Sequence, residues 1–391
     1  MTDLENLDRT LAGLQGRVER HITRARVRRY LSALVDMPAP STFAGPMRVP
    51  VLRRLLAEDR AFTTRLHLHG DFRRTGSPVI LTGANEVAKP LWYFAHLDTI
   101  SYLVQPFDGV RYPLVPFCVH LIRDGARPAQ AHRFDLACNA LVPIAQGRLE
   151  SDDGAASFRP VDGAPPLRPG DRVTLSSCYS EDAETGQFNG SMDNAGGVAA
   201  LALAAPVLAE AGIEAMLAFP DEEEGPVAPG NHMIGRGSSR IVSLLPAPDL
   251  AIVADVQQAG GDPDADTRGG VENSARLGAG AVLAEFSSVA RGAVTPPDLY
   301  AIAHHTAGRL ASLGVLVQES NNAYSSRSDD VSVMLKTPNI LQLGFPGFNR
   351  HHDHGVPRAH LDDVVHLAKA LVYMAAVGPF MAAGRRDLLG D

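Results

Sequence analysis

The segment LWYFAHLD (91–98) decides the fold. Five apolar or aromatic residues run together and then give way to His96 and Asp98. A run this short, without the alternation of a strand wetted on one face, suits a strand buried on both faces of a sheet. Three further runs have the same character: IEAMLAF (213–219), DLAIVAD (249–255) and NILQLGF (339–345). Between them lie the helical patterns GGVAALALAAPVLAEAG (196–212) and DLYAIAHHTAGRLASLG (298–314). Strand, helix, strand in this order predicts an α/β domain with a mixed, mostly parallel sheet flanked by helices.

Working outward, residues 101–188 break the alternation. They hold short β-like pieces such as CVHLIRD and RVTLSS, punctuated by Pro, Gly and Asp, with no long helical period. This predicts an inserted, barrel-like β-rich subdomain over 101–185, leaving 1–100 and 186–391 as one discontinuous α/β domain. Residues 4–57 read as helices broken at MPAPSTFAGP, where Pro38, Pro40 and Pro46 are unsuited to a helix interior. DPDADTRGG (262–270) reads as a plain loop, because the sixth position of a calcium loop is Thr267 rather than glycine and no Glu stands at the twelfth.

Composition narrows the function classes. Of 391 residues, 45% are hydrophobic and 20% charged, which excludes disordered and collagen-like chains. Lys and Arg number 36 against 44 Asp and Glu, and the net charge of −8 argues against nucleic acid or an anionic membrane as partner. Cys118, Cys138 and Cys178 are odd in number and widely spaced, so reduced thiols and a cytoplasmic location are expected. The opening MTDLENLDRTLAG lacks the basic and apolar regions of a signal peptide. The longest apolar stretch, Val198 to Ala209, is too short to span a bilayer.

In an open α/β sheet, functional groups gather beyond the carboxyl ends of the strands. There the sequence places His96 and Asp98; Asp221, Glu222, Glu223 and Glu224; Asp255; and His351, His352, Asp353 and His354. Asp193 opens the helix of SMDNAGGVAALALA, where an Asp can equally be an N-cap. Singly, each has a bland account: a core histidine, a solvated acidic turn, a cap, a surface loop. Burial of apolar faces gives no reason for carboxylates and imidazoles to meet at one sheet edge. Two histidines and several carboxylates suit a divalent ion, zinc first, with manganese and cobalt open.

FAHLDTISYLV, GSMDNAGGVAAL, FPDEEEG and IVADV, in this order, resemble the co-catalytic zinc aminopeptidases related to glutamyl aminopeptidase and the tetrahedral aminopeptidases, over about residues 31–376. The resemblance implies release of N-terminal residues from peptides by water activated between two divalent metal ions, most readily zinc. It makes Asp193 the bridging carboxylate. His96 and Asp255 would complete one site, and Glu223 with a late histidine the other. Aligning EEEG on the family's EExG puts the general base at Glu222, and Asp98 would hold the His96 ring by its other nitrogen. RHHDHG offers three candidates for the last ligand. His354 comes first because Gly355 and Pro357 follow it, as a small residue and a proline do in the family. His352, with more even loop lengths, comes second, and His351 fits the distance from Pro346.

Peptide substrates and a homo-oligomer, up to a twelve-subunit tetrahedral shell, are also implied. Two alternatives remain. One is a carboxypeptidase- or deacylase-type amidohydrolase acting on N-acyl amino acids with nearly the same ligands. The other is a non-catalytic metal-binding scaffold, which would have no need of a base at Glu222. Asp329 and Asp330 in YSSRSDDVSV are read as helix caps or substrate contacts.

Overall fold

In the computed structural model the described residues are 3–58, 65–176, 178–225, 235–261, 271–323 and 326–379; the loop read at 262–270 lies outside them. The four apolar runs form neighbouring parallel strands in the order Ala215–Ala218, Leu91–Phe94, Leu250–Gln258, Ile340–Phe348. Nearly every one of their residues is buried, as covering both faces of the sheet requires. Antiparallel strands flank this parallel centre. Val79–Thr82 and Leu66–His69 extend one side, and Arg358–His360, Gln187–Asn189 and Ser180–Glu181 the other. Ala281–Ala284 branches from Ile340–Phe348 and pairs with Val317–Glu319, making an eleven-stranded mixed sheet.

Helix Ala195–Glu210 is apolar on every side and buried from Ala195 to Ala209. It lies in the main core with Asp3–His21, Arg24–Val35 and Leu361–Met374 packed against it, and an all-apolar helix needs such cover. Gly196 brings its first turn against the sheet, since a Cβ there would stand 2.4 Å from the Phe345 ring. The helix cap is Asn194 rather than Asp193: the Asn194 side chain accepts Gly197 N–H at 3.0 Å and donates to the Ala254 carbonyl at 2.8 Å. Asp193 is thereby spared from capping, with its carboxylate at the strand ends. Pro46 differs from its sequence reading. It lies in the first turn of helix Ala44–Leu56, where no N–H is required, and Pro50 lies farther inside the same helix.

Six strands, Ser101–Val104, Tyr112–Phe117, Ala155–Pro160, Ala140–Asp152, Gly125–Asp135 and Arg172–Leu175, close into an antiparallel barrel. Closure leaves no free edges, and Tyr102, Leu149, Phe158 and Val173 fill the interior. The barrel leaves the main fold just after Asp98 and returns before Asp193, so it is tethered beside the strand ends at both points. Among the described residues no helix is long and apolar enough to cross a membrane.

Candidate metal centre

Strand ends and one helix start bring the polar side chains together. His96 follows Leu91–Phe94, Glu223 and Glu224 follow Ala215–Ala218, Asp255 ends the apolar part of Leu250–Gln258, and His351 follows Ile340–Phe348. All are buried. His96 Nε2 lies 3.1 Å from Asp193 Oδ1, 3.7 Å from Asp255 Oδ1 and 3.8 Å from Glu223 Oε2. His351 Nε2 lies 3.5 Å from Asp193 Oδ2 and 3.4 Å from Glu224 Oε2. Asp193 therefore turns one oxygen to each of two groups, His96 with Asp255 and Glu224 with His351. Within each group the ligand atoms lie inside 4.8 Å of one another.

These residues fit divalent ions. Among the described residues, His96 Nε2, Asp193 Oδ1 and Glu224 Oε1 are buried and find no hydrogen-bond partner. Ligands about 2.0–2.2 Å from a shared ion stand roughly 3–3.5 Å apart, close to the separations seen here. The charges point the same way. Burial, aided by Glu224 and Asp255, pushes Glu223 well above the ordinary carboxylate range despite the pull of His96. Burial and the Asp193 charge raise Glu224 and Asp255 too. For Asp193 burial acts upward, but His351, His96 and Arg350 hold it well below that range. Burial opposes charge on the His96 ring, yet Glu223, Asp255 and Asp193 keep its pKa well above that of free imidazole. So many packed carboxylates call for a cation.

Asp98 organises the surroundings. Its carboxylate accepts the Ser41 hydroxyl at 2.6 Å and the backbone N–H groups of Glu223 and Glu224 at 3.1 and 3.3 Å. His96 Nδ1 lies 3.2 Å from the Asp98 carbonyl and 3.5 Å from its carboxylate, so the other ring nitrogen faces the cluster. Asp221 is turned away from the cluster and accepts the N–H groups of Thr42, Ala44 and Glu222. Burial and the Asp98 charge push it up to about 8.

Two of the expected positions differ. Glu222 has a left-handed backbone, φ 65°, which turns its side chain out of the cluster while its two neighbours turn in. Its carboxylate meets Arg240 Nη2 at 2.5 Å and Arg236 Nη1 at 3.7 Å. Both arginines lie on the side away from the cluster, so the Glu222 carboxylate is not among the groups gathered there. His354 is exposed and is not in either group. His352 is buried but faces Ser191 Oγ at 3.4 Å, and burial with the charges of His351 and Arg127 lowers its pKa to about 3. His351 is the histidine that enters. Its Nδ1 bonds the Val119 carbonyl at 2.7 Å, and Arg127 holds the same loop through the carbonyls of His352, at 2.9 Å, and Asp353, at 2.7 Å.

Sequence reasoning placed Glu224 at the strand end without giving it a ligand role, passed over Arg350 and ranked His351 last, although the spacing from Pro346 pointed to it. Arg350 Nη1 lies 3.3 Å from Asp193 Oδ2. Asp330 anchors a loop, accepting from Ser287 Oγ, Ala293 N and Ser328 N. Asp329 is buried, and burial pushes it up to about 7.

No protein-family model and no curated protein matches the chain. Solved structures do. An aminopeptidase from the archaeon Desulfurococcus kamchatkensis superimposes with a TM-score of 0.68 at 15% identity, over 92% of this chain and 98% of that one. The TET1 peptidase of Pyrococcus horikoshii, described as assembling into a tetrahedron or a large octahedral shell, gives 0.64 at 16% identity over 89% and 99%. An M18-family aminopeptidase from Thermotoga maritima gives 0.61 at 12% identity over 92% and 98%. At such identities the likeness is one of fold: the chain has the fold of the tetrahedral aminopeptidases and of an M18-family aminopeptidase.

Proposed function

We propose that the protein is a dinuclear metallo-aminopeptidase. His96, Asp193 and Asp255 would hold one ion, and Asp193, Glu224 and His351 the other. The observation that carries this reading is the division of the Asp193 carboxylate, Oδ1 at 3.1 Å from His96 Nε2 and Oδ2 at 3.5 Å from His351 Nε2. The aminopeptidase descriptions of the structural neighbours support it. When bound, the ions supply Lewis acidity to the scissile carbonyl and bring the pKa of water from 15.7 to about 7.

The remaining chemistry belongs to the chain. Glu223 belongs to neither triad, yet its carboxylate lies 3.8 Å from His96 Nε2 and its backbone is held by Asp98. Burial raises its proton affinity, which suits a group that takes a proton from the attacking water and passes it to the departing amine. Asp98 fixes the His96 ring and, through two amide bonds, the placement of Glu223 and Glu224. Zinc as the native ion, a cytoplasmic location and a homo-oligomer belong to the same proposal. The shell described for the Pyrococcus horikoshii peptidase supports the last of these.

The test is a metal-stripped preparation supplied in turn with zinc, cobalt and manganese, then offered aminoacyl-anilides and N-acetyl amino acids. Only substrates with a free amine should be cleaved. Cleavage of the acylated series alone would assign a deacylase. Two bound ions without turnover on either would leave a scaffold. Light scattering that gives a monomer at micromolar concentration would remove the oligomer.

A further inference from the structure

Arg350 stands immediately before His351, and its side chain is largely buried, at 15% exposure, against the second group of ligands. Nη1 lies 3.3 Å from Asp193 Oδ2 and 3.2 Å from His351 Nε2. The second contact has one chemical meaning. His351 Nδ1 faces a carbonyl, that of Val119, at 2.7 Å, so Nδ1 carries a ring proton and Nε2 is the nitrogen turned to the second group. A guanidinium has donors only, so Arg350 bonds Nε2 through that nitrogen's lone pair, in the same ring form that binds a metal.

The same lone pair, with Asp193 Oδ2 and Glu224 Oε2, is what an ion in the second group needs. An ion held by Nε2 would use the lone pair to which Nη1 points at 3.2 Å, and its charge would repel the guanidinium. Both cannot be present. The first group feels the arginine less: among the described residues Asp255 forms an ion pair only with His96 and senses the Arg350 charge at longer range, and Asp193 Oδ1 faces His96 rather than an arginine. A guanidinium keeps its charge throughout the working pH range, so raising the pH does not relieve the competition.

We infer that Arg350 is the resident cation of the second site, neutralising Asp193 and covering the His351 lone pair until an entering ion displaces it. This rests on the two-ion reading above. Its consequence is ordered loading. The His96, Asp193 and Asp255 group fills first, and the Asp193, Glu224 and His351 group fills second and at higher metal concentration. The arginine thereby sets the metal level at which a complete centre exists.

The experiment is a titration of the metal-stripped full chain with manganese alone. It is followed by calorimetry and by electron paramagnetic resonance, which separates isolated from exchange-coupled manganese. The wild-type protein should bind in two steps, with an isolated-ion signal first and a coupled signal later. Arg350→Met should tighten the second step by about tenfold or more and the first step much less, so that coupled pairs form at lower metal. Arg350→Gln, without charge, should do the same, and Arg350→Lys should keep the second step weak. Circular dichroism and melting confirm that each variant is folded, and Arg350→Gln serves if Arg350→Met is not. Simultaneous filling in the wild type, or a second step unchanged or weakened in the folded neutral variants, would overturn the inference while leaving the two-ion centre standing. A wild-type chain that binds no manganese would remove the two-ion reading and the inference together.

Discussion

The backbone carbonyl of Val119, between barrel strands Tyr112–Phe117 and Gly125–Asp135, lies 2.7 Å from Nδ1 of His351, on the loop that leaves the central sheet. One end of the imidazole is thus fixed by the inserted subdomain while the other meets Asp193 and Glu224. The barrel does more than occupy the gap between His96 and Asp193, since it sets the direction in which a ligand from the far end of the chain presents its lone pair. Such outer partners govern ligand orientation and commonly change metal affinity substantially.

Arg127 should have the same kind of effect from a distance. Its two bonds hold the carbonyls of His352 and Asp353. Arg127→Ala is expected to weaken the second ion by about 10–100-fold without unfolding the chain. Metal content after dialysis against graded chelator reads this directly, and an unchanged second-ion affinity would show that the loop holds its shape unaided.

The proposed roles of the glutamates separate in kinetics. Glu223→Gln should retain both ions and lose about 10²–10⁴-fold in turnover, the usual contribution of general acid–base catalysis. Glu222→Gln, whose carboxylate pairs with Arg240, should stay within a few-fold of wild type. The reverse pattern in side-by-side kinetics would restore Glu222 as the base.

Ligand assignment is checked by counting ions. Glu224→Gln and His351→Ala should each leave about one ion per chain, whereas His354→Ala, an exposed residue, should leave two. Loss of an ion in His354→Ala would require a loop arrangement different from the one described.

The barrel should respond to acid through His132. The ring is buried beside Thr174 Oγ1 at 3.0 Å, its Nδ1 has no partner, and burial lowers its pKa to about 4. A depressed histidine binds its proton more readily in the unfolded chain, so its neutral form contributes stability above about pH 6.5 that is lost as pH falls toward 4. The loss is on the order of 3 kcal/mol. Urea unfolding of wild type and His132→Leu at pH 7 and 4.5 should give a smaller pH effect in the variant. Equal pH effects in the two proteins would discount His132.

Much of this molecule is written in local sequence. The four apolar runs determined the parallel centre of the sheet, because no other element buries so short a run on both faces, and each run ended at the ligand-type residues that its strand delivers. His96 and Asp255 were legible for that reason, Asp193 was legible as the acidic residue opening the apolar helix, and the helix-poor stretch foretold strands. The choices among neighbours were not legible. Three consecutive glutamates are chemically identical in sequence. The positive φ at Glu222, the arginines Arg236 and Arg240, and the bonds from Asp98 decide which of them turn inward. The three histidines of RHHDHG differ only in what faces them. Val119 and Arg127 lie more than two hundred positions earlier in the chain, and their contacts select His351. Periodicity reports which face of an element is buried, but such contacts between distant segments exist only once the barrel has folded back beside the sheet.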